Sequence, residues 1–321
     1  MARAYGAVDR ILAETGKAIV GKDREVALLL TALLSGGHAL IEDIPGVGKT
    51  VLASALARAS GLSFRRAQFT PDVMASDITG FNVYNRSTEK FEFREGIVMT
   101  NLVLADEINR ATPKTQSSLL EAMEERQVTV DGKTYALPNP FVVIATQNPL
   151  GFVGTNPLPE AQLDRFSVCF SLGYPTEDEE VRILRDRKKS NPIDSVKQIA
   201  SPDIMALLIS LAGEVRVSLE IERYIVSLVS ATRAVPEFAS GASPRASLML
   251  MKLARARAFI KHRDYVVPDD VADLFQDAVG HRVTLERDAE TSGKSVKEIL
   301  RRIVDTTPVP FELKKQPVHG L

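Results

Sequence analysis

Apolar positions change period several times along the chain, and each change marks an element. Val8, Ile11 and Leu12, then Val26, Leu29, Leu30 and Leu33, recur at helical spacing, which predicts helix over 4–35 with a break near Val20-Gly21-Lys22. Gly36-Gly37 ends the second segment, and the short apolar run Ala39-Leu40-Ile41 reads as a strand. Weak alternation marks a further strand over 63–69, after Gly61 has closed an intervening helix. Residues 71–80 read as a polar loop with room for one helical turn, and 82–84 and 90–94 flank NRSTE as a hairpin. Continuous apolar runs at 102–105 and 141–146 predict buried parallel strands. Between them lie a helix over 113–126, with Leu119, Leu120 and Met123 on one face, and a second hairpin whose Asp131-Gly132 suits a type I′ turn. A last strand is expected over 167–172, followed by a helix with Glu177–Glu180 acidic in its first turn.

Strand signals then stop. Residues 191–203 are polar and punctuated by Pro192 and Pro202, which predicts a linker. Helices are expected over 204–214, 220–234, 243–261 and 269–281, with Pro244 in the first turn of the third. The pattern therefore divides into a first part that mixes strands and helices, a helical region beyond the linker and a proline-bearing tail over 306–321. Residues 150–160 form a glycine- and proline-rich loop expected to be mobile.

Composition narrows the functional classes. Lys+Arg 40 against Asp+Glu 41 gives a net charge of −1, so no basic field recommends nucleic acid as a partner. Cys169 is the single cysteine, and His38, His262, His281 and His319 lack ligand spacing; a disulfide framework and a Cys/His metal cluster are excluded. The N-terminus lacks a signal-peptide apolar core, and VALLLTALL at 26–34 is too short to span a bilayer. The expectation is a soluble cytoplasmic protein.

The chemistry concentrates in two stretches. ALIEDIPGVGKT at 39–50 places Pro45, Gly46, Val47 and Gly48 between a strand and a helix opening with Lys49, Thr50 and Val51. Such a loop turns backbone N–H groups onto phosphate oxygens, with Lys49 neutralising β/γ-phosphates and Thr50 ligating Mg²⁺. Asp43 stands where the G-x-x-x-x-G-K pattern has its first glycine, so the bare motif also fits a Gly-Pro turn before a helix. Second, the 102–105 strand delivers Asp106 and Glu107 at its C-terminal end, where open α/β sheets bind ligands. Asp106 would hold Mg²⁺, directly or through water, and Glu107 would polarise an attacking water; without the upstream loop, such a pair also fits a solvated loop after a strand. The 141–146 strand ends in Gln147-Asn148-Pro149, where Asn148 either bonds a γ-phosphate or the attacking water, or initiates a turn before Pro149; Ile19-Val20-Gly21 either lies against an adenine ring or is a helix–helix turn.

GGHALIEDIPGVGKT, ITGFNVYN, NLVLADEINRATPKTQSSLLEAMEE, FVVIATQNP, LPEAQLDRF and GASPRAS, in this order, closely resemble the MoxR family of AAA+ ATPases. The similarity runs from about 20 to about 281 and accommodates Asp43; Ile97 and Met99 depart from the family's usual proline and aromatic. The resemblance implies an AAA+ P-loop αβα core over 1–190 with a five-stranded parallel sheet, and a small all-helical lid over 191–305. It implies ATP at the boundaries of a ring, typically a hexamer. By position, Lys49 and Thr50 are Walker A residues and Asp106 and Glu107 Walker B; Asn148 is sensor 1, Arg165 the arginine finger, Arg245 sensor 2, with a surface salt bridge as the alternative for either arginine, and Arg110 a further interface candidate. The hairpins at 77–100 and 127–141 are similar to inserts that contact a client. The implied function is chaperone-like remodelling, maturation or metal loading of a client protein with a von Willebrand factor A domain partner. A magnesium-chelatase-like motor, a nucleic-acid translocase and an ATP-dependent scaffold remain alternatives.

Overall fold

The computed structural model describes residues 1–148, 156–187 and 192–310. Most of the loop expected over 150–160, and the tail from residue 311 on, lie outside the described residues. The chain divides into two compact units, Met1–Ile209 and a second from Ser210 onward.

In the first unit, α1 (Ala2–Gly16) and α2 (Asp23–Leu34) precede β1 (Ala39–Glu42), and α3 (Lys49–Ser60) follows it. Gly61, left-handed at φ 65°, ends α3 by returning its N–H to the carbonyl of Ala57. Next come β2 (Phe64–Gln68), α4 (Ala75–Thr79), the β3 (Gly80–Asn85) and β4 (Lys90–Glu95) ribbon, and β5 (Leu102–Asp106). Helix α5 (Pro113–Glu125) starts with Thr112 as N-cap and Pro113 in its first turn. The β6 (Gln127–Val130) and β7 (Lys133–Ala136) ribbon, β8 (Val142–Gln147), α6 (Glu160–Leu163), β9 (Val168–Phe170) and α7 (Glu177–Arg187) complete the series. Asp131 and Gly132, at φ 49° and 77°, give the β6–β7 turn the positive angles a type I′ turn demands.

Five strands pair in the order β2-β5-β8-β1-β9, all parallel. Parallel strands need crossovers that cover both faces, which is why β5 is buried along its whole length. Leu40, Val103, Ala105, Val143 and Ala145 meet Leu119, Leu120 and Met123 of α5 on one side. Their alternates Ile41, Leu104 and Ile144 are equally buried on the other, where α3 packs against β5 and α2 against β9.

Residues 192–200, expected as a linker, pack onto the first unit. Val196 and Ala200 are buried, and the N–H groups of Ile199 and Ala200 donate to the Ala59 carbonyl at 2.8 and 3.3 Å. A Cβ on Gly61 would stand 2.1 Å from the Ala200 carbonyl oxygen, so glycine is required for this approach. The compact units thus divide at 209/210 rather than near 190, inside α8 (Pro202–Gly213).

The second unit continues with α9 (Leu219–Ala234), β10 (Phe238–Ser240), α10 (Pro244–Ile260), α11 (Pro268–Val279), β11 (Thr284–Leu285), α12 (Arg287–Thr291) and α13 (Val296–Thr306). Leu250, Leu253, Leu274, Phe275, Leu300 and Ile303 are buried in it. It is helical as expected, with one addition: β10 and β11 pair as an antiparallel ribbon across 43 intervening residues, a spacing from which no hairpin signal arises.

Candidate functional site

Every parallel strand of the core ends at one edge, and the candidate residues gather there. Gly46 and Gly48 are left-handed at φ 92° and 100°, angles that fold the 45–48 loop back over the start of α3. The Lys49 ammonium donates to the carbonyls of Asp43 (2.6 Å) and Ile44 (3.1 Å), closing the loop from within. Burial draws the Lys49 pKa below the ordinary lysine value, while the charges of Asp43, Asp106 and Glu107 act in the opposite sense.

A cavity of about 320 Å³ brings together Pro45, Gly46, Gly48, Lys49, Thr50, Val51, Asp106, Glu107 and Asn148, and adds Arg66 and Gln68. The two acids are set by one hydroxyl. Buried Thr146 accepts the Glu107 N–H at 2.9 Å and donates to Asp106 Oδ1 at 2.6 Å. This follows from register: Ala105 pairs with Ala145, so the next residues on β5 and β8 face each other. Glu107 is left-handed at φ 56°, a conformation costing about 1–2 kcal/mol for a non-glycine residue, and the residue lines the cavity. Glu107 Oε2 accepts from Arg110 at 2.8 Å, and Asp106 Oδ2 accepts from Arg66 at 2.7 Å.

A second cavity, about 460 Å³, lies across the same loop. It shares Pro45, Gly46, Gly48 and Val51 with the first and adds Val47, Ile19, Val20, Lys22, Tyr174, Pro175 and Ile183. Val20 lines this cavity. Gly21 does not line it; left-handed at φ 72°, it lets its turn pack against Glu179, whose carboxylate a Cβ there would overlap. Together the cavities give an apolar chamber beside a charged one, divided by a loop of inward-turning backbone. A flat apolar group joined to an anionic chain fits this arrangement.

Arg165 and Arg245 are not in this group. Arg165 follows α6, where Nη1 donates to the Leu120 carbonyl at 2.6 Å and pairs with Glu124 at 3.2 Å. Arg245 stands exposed in the first turn of α10, in the second unit.

A model of the ATPase family associated with various cellular activities (AAA) matches residues 38–168, and an AAA lid domain model matches 230–303. The uncharacterized protein YeaC of Bacillus subtilis is 48% identical over 92% of both chains. Chaperone MoxR1 of Mycobacterium tuberculosis is 40% identical over 98% of this chain and 85% of its own. The chain belongs to the MoxR family of AAA+ ATPases. A crystal structure of a candidate ATPase from Cytophaga hutchinsonii shares the fold at TM-score 0.90, with 38% identity over 96% of each chain.

For this MoxR-family chain the nucleotide-binding chemistry is consistent with both cavities. The donor set also fits a hard divalent cation beside phosphate: a hydroxyl at Thr50 and a carboxylate at Asp106 line one chamber, and such ions take few protein ligands when phosphates supply the rest. Among the described residues there is no cluster of three or more His, Cys, Asp or Glu that would hold a metal alone, and no helix long and apolar enough to cross a membrane. Sequence reasoning missed Arg66, Gln68, Thr146 and Tyr174. Arg66 and Gln68 share a face of β2 beside β5, but the strand alternates too weakly for that face to be assigned from the sequence.

Proposed function

We propose that this MoxR-family ATPase hydrolyses ATP in a Mg²⁺-dependent reaction. The observation that supports it best is the shared cavity, where Lys49, Thr50, Asp106, Glu107 and Asn148 meet although they come from three separate stretches of sequence. Lys49 binds the β/γ-phosphates, the 45–48 backbone cradles them, and Ile19 and Val20 flank the base. Thr50 and Asp106 would hold Mg²⁺, which neutralises phosphate charge when bound. Glu107 orients the water whose oxygen attacks the γ-phosphorus in line as ADP departs, and accepts the water's proton; Asn148 bonds the γ-phosphoryl oxygens. Arg165, held on the neighbouring α5 rather than in its own subunit's cavity, acts on the ATP of an adjacent copy, and Arg245 on ATP from the lid.

The work driven is chaperone-like remodelling, maturation or metal-cofactor insertion of a client, by a cytoplasmic ring, typically hexameric, with a von Willebrand factor A domain partner. The name of the Mycobacterium tuberculosis relative, a chaperone, supports the first part; the rest follows from the family resemblance.

Replacing Glu107→Gln should leave ATP binding within about threefold and lower turnover roughly 10²–10⁴-fold, the range for losing a positioned base. Turnover at the wild-type rate would remove Glu107 from this role. Turnover per subunit should also rise with protein concentration and fall disproportionately when Arg165→Ala subunits are mixed in.

A further inference from the structure

Asp43 occupies the position where the phosphate-loop pattern has glycine, and its side chain is not idle. It is 5% exposed, and its carboxylate receives four hydrogen bonds. Oδ1 accepts the Ile44 N–H at 2.8 Å, at the start of the loop. Oδ2 accepts the Ser171 hydroxyl at 2.9 Å and the N–H groups of Leu172 and Gly173, both at 2.7 Å. Those three residues directly follow β9 and lead into Tyr174 and Pro175, which line the apolar chamber but not the charged one. The far side of the same segment is held by the opposite wall, where Lys22 donates to the Tyr174 carbonyl at 3.3 Å.

We infer that Asp43 is a positioning residue for the base: its carboxylate clamps the 171–173 backbone to the phosphate loop and so sets the Tyr174–Pro175 wall against which a nucleoside lies. It acts chiefly on the nucleoside end of the ligand: the hydrogen bond between Lys49 and residue 43 is made to the main-chain carbonyl, which any side chain leaves in place, and the Asp43 charge near Lys49 is shared with Asp106 and Glu107. Restoring the glycine of the common pattern is therefore harmful here. An amide is no substitute: Oδ2 faces two N–H donors and Oδ1 a third, so either orientation of an asparagine turns its NH₂ against a donor. The inference rests on the nucleotide reading of the site.

The test compares ADP with inorganic tripolyphosphate, which carries phosphate charge and no nucleoside, by calorimetric titration of wild type, Asp43→Gly, Asp43→Asn and Ser171→Ala. Asp43→Gly and Asp43→Asn should weaken ADP at least tenfold and tripolyphosphate less than twofold. In turnover they should raise KM for ATP while kcat stays within about threefold. Ser171→Ala, which removes one of four donors and leaves the buried charge in place, should weaken ADP about two- to fivefold and keeps the inference testable if the Asp43 variants do not fold. Equal losses for both ligands, or an unchanged ADP affinity in a folded variant, would overturn the inference alone. Failure of the wild type to bind either ligand would overturn the nucleotide reading and the inference with it.

Discussion

The two ends of the parallel sheet are built from similar residue types and do opposite things. At the C-terminal end, Lys49, Arg66, Asp106, Glu107 and Asn148 line a cavity. At the N-terminal end, His38, Ser63, Asn101 and Arg126 bond to main chain and to each other. His38 accepts the Val143 N–H at Nδ1 and places Nε2 against the Met123 carbonyl; Asn101 receives the Ser63 N–H and hydroxyl and donates to the Pro140 carbonyl; Arg126 reaches the carbonyls of Phe141 and Gly36. Polar residues whose partners are carbonyls and amides of neighbouring strands hold the sheet together. Those that converge on open space from separate strands are available to a ligand.

Breaking one end should therefore spare the property carried by the other. The largest effect is expected from Lys49→Ala, which should cut ATP turnover by about 10³-fold, on the order of 4 kcal/mol of transition-state stabilisation. Its Tm should shift by only a few degrees in thermal unfolding. Next, Asn101→Ala leaves the buried Pro140 carbonyl and the part-buried Ser63 N–H without their partner, which costs roughly 2–6 kcal/mol of stability at about 1–3 kcal/mol each. Chemical denaturation reads that loss, and KM for ATP should stay within twofold.

The smallest effect sharpens the contrast through pH. Burial, with the nearby Arg126 charge assisting and the Met123 hydrogen bond opposing, pushes the His38 pKa down to about 3. An unfolded histidine titrates near 6.5, so between these values the unfolded chain binds the extra proton and stability falls as pH falls. At pH 5 the loss relative to pH 7 is on the order of 2 kcal/mol. A denaturation series should show this slope in wild type and lack it in His38→Asn, which is less stable at pH 7 but has nothing to protonate there. An equal slope in both proteins would locate the pH sensitivity elsewhere.

What could be read in advance follows the range of each signal. The buried strands announced themselves as continuous apolar runs, and the Asp106-Glu107 pair as the residues that end one. Both are local in sequence. Arg66 was hidden because β2 alternates weakly, so no face was assigned to it. Asp43 was legible only as a missing glycine, since three of its four hydrogen-bond partners lie some 130 residues away. The packing of 192–200 rests on two small apolar residues in a polar, proline-punctuated stretch. Helix α13 was overlooked despite a clear local pattern: Ser295 caps it by accepting the Glu298 N–H, and Ile299, Leu300 and Ile303 form its buried stripe.

Strand β2 forms one margin of the sheet, with a partner on one side only among the described residues. Unpaired strand margins invite foreign strands to add on, and long cationic side chains discourage it. Arg65 and Arg66 occupy the middle of that margin, Arg65 pairing with Glu95 and Arg66 with Asp106. Arg66 thus has an outward duty as well as an inward one. The charge that leans on the Asp106 carboxylate also stands on the unpaired margin, where a long cationic side chain disfavours the addition of a foreign strand.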